Sequence, residues 1–330
     1  MNQTFTVGAY GKLGLSKEYL RHNCHDGIAL RLRNWMDTGF DRAAATGRLP
    51  AQNGVVYRLL FSPPGDSHVL VAVLKHSVDA SGYRAFPFAL FASAPRPRVL
   101  AGDFLQRLEP VWAKLESEFA ALVKTATNDE FFGRLRLLAV SGVLDESGES
   151  APFTQFLATP TRDWLEGMYR QDPADLWVRG LWRLHVQREP LNRESGPAPS
   201  VAAANAQPAL RAFLLPLSSK EAPTAQVDLW RAILASAHAQ LQQLPTVFLP
   251  TVFLPGVSSA SATLIYRDLR AEDLPNALGC APTNGQLTDL VSNDGKLPAQ
   301  GLGVFRDRVE AGPLASGAVL RRVLEFKIAP

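Results

Sequence analysis

The chain is short of cysteine, of long apolar runs and of any strong excess of charge, and each shortage removes a class of function. Only Cys24 and Cys280 occur in 330 residues. No disulfide framework can be built from two, and they read as free thiols of a reducing compartment, with one bridge between them as the alternative. No apolar run approaches the ~20 residues that a membrane helix requires, so direct membrane insertion is not expected. The amino terminus, MNQTFTVGAYGKLG, lacks a basic segment followed by a long apolar one, and cytoplasmic residence is the default expectation. Lysine and arginine outnumber aspartate and glutamate by 34 to 31, and no basic run exceeds a pair. That balance is too weak to build a nucleic-acid surface.

What the chain has in quantity is core material. Hydrophobic residues make up 46% and charged residues 20%, the proportions of a globular protein and not of a disordered one. At this length two units are expected, divided at the polar run 145–152 into residues 1–148 and a second α/β region, 149–330. The Pro/Ala/Ser-rich segment 187–208 reads as a loop or linker.

The stretch VLVAVLKHSVDASGYRAFPFALFA, 69–92, organises the first half. Two nearly continuous apolar runs flank a polar segment with a Ser-Gly turn signal, which predicts a hairpin with a long loop. Continuous rather than alternating apolar residues place those strands at the centre of a sheet covered on both faces. A helix is predicted over 28–45 from Ile28, Leu32, Trp35, Met36 and Phe40, and a strand over 55–61, ended by Pro63-Pro64-Gly65. PRPR at 95–98 reads as an exposed connection. Asp103 is placed as the cap of a helix with the stripe Phe104, Leu108, Val111, Trp112, Leu115 and Phe119, which either kinks at Pro110 or starts there. Another helix is expected over 128–139. Further on, AFLLPL at 212–217 and a helix with Trp230 echo the earlier order of AFPFAL and the helix with Trp112. TVFLP occurs twice in succession, at 246–250 and 251–255, and reads as a lengthened apolar loop. A strand is expected over 261–266, and a final helix or edge strand over 319–328.

Motifs for chemistry are sparse. GAYGKLG at 8–14 implies tight turns, but its glycines are too close and Leu13 follows Lys12, so it is not a Walker loop. His22, Cys24, His25 and Asp26 are of metal-binding types, yet no second half-site accompanies them, and a solvated turn is the simpler reading. No Gly-x-Ser-x-Gly occurs. Ser141 sits in an expected turn, and Glu116 and Glu118, two apart on a helix, read as solvated charges. No catalytic, metal or cofactor site emerges, and binding is favoured over catalysis. A metal-dependent or serine hydrolase with a dispersed site is the alternative.

GAYGKLG, then Glu18-Tyr19-Leu20, Trp35 in the following helix and Asp79-Ala80-Ser81-Gly82-Tyr83-Arg84-Ala85-Phe86-Pro87-Phe88 occur in that order. Over roughly residues 5–135 this resembles the TagF (ImpM) accessory proteins of bacterial type VI secretion systems. Gly14-Leu15 and Lys17-Glu18 depart from that pattern, so the resemblance is to a divergent member. It implies an α/β (α+β) fold, a mixed and largely antiparallel sheet with helices on both faces. It also implies a non-enzymatic cytoplasmic role in post-translational control of secretion, without cofactor, through contacts with other system components such as a forkhead-associated protein. A longin-like partner module for a small GTPase is a further alternative. A shared interaction surface is expected from Tyr10, Lys12, Asp79 and Arg84. The competing reading is that Asp79 and Arg84 merely pin their turn to the sheet.

Overall fold

The computed structural model describes residues 3–49, 55–98, 100–142, 144, 212–217, 222–237, 239–250, 260–278 and 288–289. The expected linker 187–208, the tryptophans Trp164, Trp177 and Trp182, the second TVFLP and the segment 319–328 lie outside them.

Among these residues ten strands form one sheet. In chain order they are β1 (Gln3–Gly11), β2 (Leu20–His22), β3 (Val56–Phe61), β4 (His68–Lys75), β5 (Phe88–Pro95), β6 (Val140–Gly142), β7 (Ala212–Leu217), β8 (Thr246–Pro250), β9 (Ala260–Ile265) and β10 (Thr288–Asp289). Their spatial order is β10-β7-β9-β8-β3-β4-β5-β1-β2, with β6 also on β1. Every pairing is antiparallel except β10 with β7. This is the mixed, largely antiparallel sheet that was expected. It runs without a break from the first half of the chain into the second, through β3 and β8, where Tyr57 faces Pro250 and Leu60 faces Val247.

The predicted hairpin is β4 and β5, in register from His68 opposite Pro95 to Lys75 opposite Phe88. Residues Val69 to Leu74 are all buried, which follows from a strand with helices on either side. One face is covered by α1 (Gly27–Ala45), which buries Ile28, Leu32, Trp35, Met36 and Ala43 and ends at Thr46 and Gly47, the latter with φ +65°. The indole N–H of Trp35 donates to the carbonyl of Arg270, 2.9 Å away, just before the short α6 (Asp273–Ala277). The opposite face carries α2 (Phe104–Arg107), α3 (Glu109–Leu122), α4 (Asn128–Leu137) and α5 (Pro223–Ala237). Their Trp112, Phe131 and Trp230 enter one core with Val71, Leu90 and Leu264.

Several local expectations are corrected. GAYGKLG does not begin as a turn: Gly8 to Gly11 belong to β1 and pair with β5. Their glycines serve close approach, because a Cβ on Gly8 would lie 2.3 Å from the Phe91 ring and one on Gly11 only 2.1 Å from the Pro87 carbonyl. The first TVFLP is not loop but β8, with Thr246, Val247, Phe248 and Leu249 buried between β3 and β9. Pairing on both sides satisfies its backbone and makes a strand of a segment that its prolines mark as irregular by local propensity. Ser141 likewise lies in β6, opposite Thr4 of β1. Around Pro110 the chain forms two helices, with the proline in the first turn of α3. Asp103 makes no side-chain cap; its carboxylate pairs with Arg107 at 2.8 Å. In PRPR, Arg96 is partly buried and donates to the carbonyls of Asp66 and Pro63 at 2.7 and 2.6 Å.

Candidate functional site

β1 ends by delivering Tyr10 and then Lys12 to the mouth of the β4–β5 connection, 76–87, which carries Asp79 and Arg84. The connection is folded back on itself. Val78 bridges Ala85, the Asp79 amide donates to the Arg84 carbonyl at 3.1 Å, and the Gly82 amide donates to the Asp79 carbonyl at 2.9 Å. Gly82 has φ +77°, a conformation that glycine adopts without the strain of a Cβ.

Asp79 is the hub. Its Oδ1 accepts from the amide and the hydroxyl of Ser81, at 3.0 and 2.5 Å. Its Oδ2 accepts from Arg84 Nε at 2.5 Å and lies 3.9 Å from Lys12 Nζ. The Ser81 hydroxyl first, then Arg84 and the Ser81 amide, overcome the effect of burial and hold this carboxyl down at about 2. Arg84 also donates to the carbonyl of Lys17, and the Ala80 amide donates to that of Ser16 at 3.0 Å. The loop after β1 and the loop after β4 are thereby tied into one body.

Lys12 is shared with an aromatic stack. Its Nζ lies 4.8 Å from the centre of the Tyr19 ring, and Tyr19 stacks on Tyr10 with 5.6 Å between centres and meets Phe86 edge-on at 4.9 Å. The Tyr10 hydroxyl donates to Asp37 Oδ1 of α1 at 2.5 Å. Burial, reinforced by that carboxylate, raises its pKa well above the ordinary phenol value. Burial also pushes Tyr19 up.

The four residues named from sequence therefore meet, Lys12, Asp79 and Arg84 directly and Tyr10 through Tyr19. Tyr10, Lys12 and Asp79 are buried, while the Arg84 side chain keeps half of its surface. What they hold toward solvent is the tip Gly82-Tyr83-Arg84, where Tyr83 is 92% exposed. Sequence reasoning missed the parts played by Tyr19, Asp37 and Ser81. Ser81 had a local signal, two residues beyond an aspartate in a turn. Asp37 had none, since its bond to Tyr10 spans 27 residues.

Other candidate residues sit elsewhere. Cys24 is buried in the core beneath α1, and burial pushes its thiol up. The His22 ring lies 6.3 Å from that of Phe132. Among the described residues no three metal-ligating side chains converge. Glu116 is not merely solvated: with Glu109 it receives the guanidinium of Arg58, at 2.6 and 2.7 Å, over the Trp112 ring. Thr224 donates to Glu109 at 2.7 Å, which links this group to α5. Among the described residues no helix is long and apolar enough to cross a membrane.

Residues 8–138 match the family model of the TagF N-terminal domain, described as type VI secretion system-associated. This part of the chain is similar to a TagF N-terminal domain. All four residues of the cluster lie within the matched stretch. The crystal structure of PA0076 from Pseudomonas aeruginosa PAO1 is similar over 88% of this chain and 96% of its own, at 14% identity and a TM-score of 0.40. No curated protein matches the chain. Strands β7 to β9 and helix α5 lie beyond the matched TagF segment, yet β8 pairs with its β3.

Proposed function

We propose that the chain acts without catalysis, as a cytoplasmic regulatory or scaffolding component of a type VI secretion system, through protein contacts made by the loop 79–84. The observation that carries this reading is Tyr83, 92% exposed at the tip of a loop whose base is fixed by the ion pairs of the buried Asp79 with Lys12 and Arg84. A large aromatic side chain held out by a rigid base loses little conformational freedom on docking, which is how tyrosine anchors an interface. Arg84 beside it adds a cation that can meet an acidic group on the partner. Asp79, Ser81 and Lys12 serve the loop's shape and not proton transfer, since each is engaged with another group of the cluster. The partner is another secretion component, and a forkhead-associated protein is the one the family resemblance implies.

Tyr83→Ala in the full chain tests this. The melting temperature is expected to stay within about 2 °C, because an exposed side chain contributes little to stability. Recovery of type VI components with the tagged protein from its host is expected to fall at least tenfold. Unchanged recovery, with secretion also unaltered in the variant strain, would remove the loop from the interface.

A further inference from the structure

The Lys12 side chain keeps only 6% of its surface, yet among the described residues its ammonium makes no hydrogen bond. An ammonium carries three N–H donors, and holding it out of water without acceptors is costly. Two groups compensate it in part. Asp79 Oδ2 lies 3.9 Å away, beyond hydrogen-bond reach, and the centre of the Tyr19 ring lies 4.8 Å away. Asp79 is already engaged: its Oδ1 accepts twice from Ser81, and its Oδ2 accepts from Arg84 Nε at 2.5 Å. Asp37 is engaged as well, by the Tyr10 hydroxyl at 2.5 Å and by Arg33 at 3.8 Å. The ammonium itself is not fully enclosed, so an acceptor can reach it from outside.

Two further cations stand around the same ring. The Arg21 guanidinium of β2 lies 5.8 Å from the centre of Tyr19 and makes no ion pair among the described residues. Burial first, then Asp37 and Asp41, push the Tyr19 hydroxyl up, and Arg21 and Arg84 act against them. Both guanidiniums are thus within electrostatic reach of the ring beside which Lys12 sits. Arg84 gives its Nε to Asp79 and one terminal nitrogen to the Lys17 carbonyl. Its other terminal nitrogen makes no hydrogen bond among the described residues, and half of the side chain is exposed. The other carboxylates nearby are Glu18 and Asp41; both are exposed, and neither forms an ion pair among the described residues.

We propose that Lys12, with Arg84 and Arg21 beside it, forms a subsite for a carboxylate side chain that the partner inserts next to Tyr83. The inference rests on the reading that the loop 79–84 is the docking surface, and it adds the chemistry of what docks there. The incoming carboxylate gives the Lys12 ammonium its acceptors and meets the remaining nitrogen of Arg84. Such charge-assisted bonds, made in a largely buried place, fix the orientation of a partner that an exposed tyrosine alone would leave free to turn. The acid arrives on the protein that Tyr83 anchors, so it is an aspartate or glutamate of that protein and not a free ion.

The probe is fluorescein-labelled hexaglutamate, its anisotropy measured against the full chain at low salt. Binding is expected, and Lys12→Met is expected to weaken it at least about tenfold, the consequence of removing one side of a buried charge pair. Lys124→Met makes the same change of charge at an exposed position just after α3 and is expected to weaken binding less than about twofold. The melting temperature of Lys12→Met is expected to stay within about 3 °C, since the ammonium has no hydrogen bond to lose. Equal effects of the two lysine substitutions, or no binding of hexaglutamate by the natural chain, overturn the subsite. A fall of more than about 10 °C for Lys12→Met also overturns it, because the lysine is then a counter-charge for Asp79 and no more. So does displacement of the probe by inorganic phosphate at concentrations where acetate has no effect, which marks a phosphate site. The recovery experiment with Tyr83→Ala separates the two claims. Unchanged recovery removes the loop from the interface, whereas lost recovery together with undiminished hexaglutamate binding by Lys12→Met removes this subsite alone.

Discussion

Asp79 and Asp228 are both buried carboxyls, and their surroundings push them in opposite directions. Asp79 is held at about 2 by the Ser81 hydroxyl and by Arg84, below the value of 3.8 for a free side chain. Its contribution to stability is therefore complete above pH 3.8 and is lost as the pH falls toward 2. Burial instead raises Asp228 to about 7, against the pull of Arg231 and of the Leu105 and Gln106 amides. The folded state then binds the proton more tightly than the unfolded one, and this group's contribution declines as pH rises from about 4 to 7. Urea midpoints measured against pH check both signs. Asp79→Asn is expected to flatten the slope between pH 2 and 4, and Asp228→Asn the opposite slope between pH 4 and 7. Single residues were also where sequence was least informative. Lys12, Asp79 and Arg84 stand in short motifs and can be named from them, but the burial of Lys12 cannot, because the Tyr19 ring it lies against comes from another segment.

Among the elements, the joint between α2 and α5 is made by buried polar groups. Asp228 of α5 accepts from the amides of Leu105 and Gln106 at 3.0 and 3.1 Å, while Arg231 donates to the carbonyls of Ala101 and Gly102 at 2.5 and 2.7 Å. The first turn of α2 has free amides that need acceptors, and α5 provides them from more than 120 residues away. Asp228→Ala leaves two buried amides without their acceptor and the Arg231 guanidinium without its carboxylate, with only the Ala101 and Gly102 carbonyls left to it. A loss of about 3–5 kcal/mol is expected in equilibrium unfolding, the range for breaking one side of a buried pair. Elements were largely legible from pattern: α1, β3, the β4–β5 hairpin and α4 lie where periodicity placed them, because each buries a face whose spacing is written locally. Gly8 to Gly11 and the first TVFLP were not. Glycine and proline are breakers by local propensity, whereas the ring of Phe91 requires the one and pairing on both sides overrides the other.

At the scale of the molecule, the TagF-like stretch 8–138 and the later strands share a sheet, and β3 would become an edge if β8 were removed. An exposed, flat, apolar edge invites aggregation. The fragment 1–148 is therefore expected to aggregate or to melt at least about 10 °C below the full chain, measured by light scattering and thermal unfolding side by side. Sequence gave the sheet's class and its covered centre but not this junction, since nothing in VYRLLF announces that TVFLP, nearly 190 residues on, will lie beside it. The same architecture leaves Tyr83 standing out from the TagF-like stretch on a fixed base. Its role is tested most directly by placing a photoreactive side chain at position 83 in the native host and identifying the adducts by mass spectrometry. Leu137, 86% exposed on α4 of the same stretch, serves as the matched control. Adducts to a type VI secretion component from position 83, absent from position 137, are the predicted result; equal or no adducts from the two positions would contradict the account.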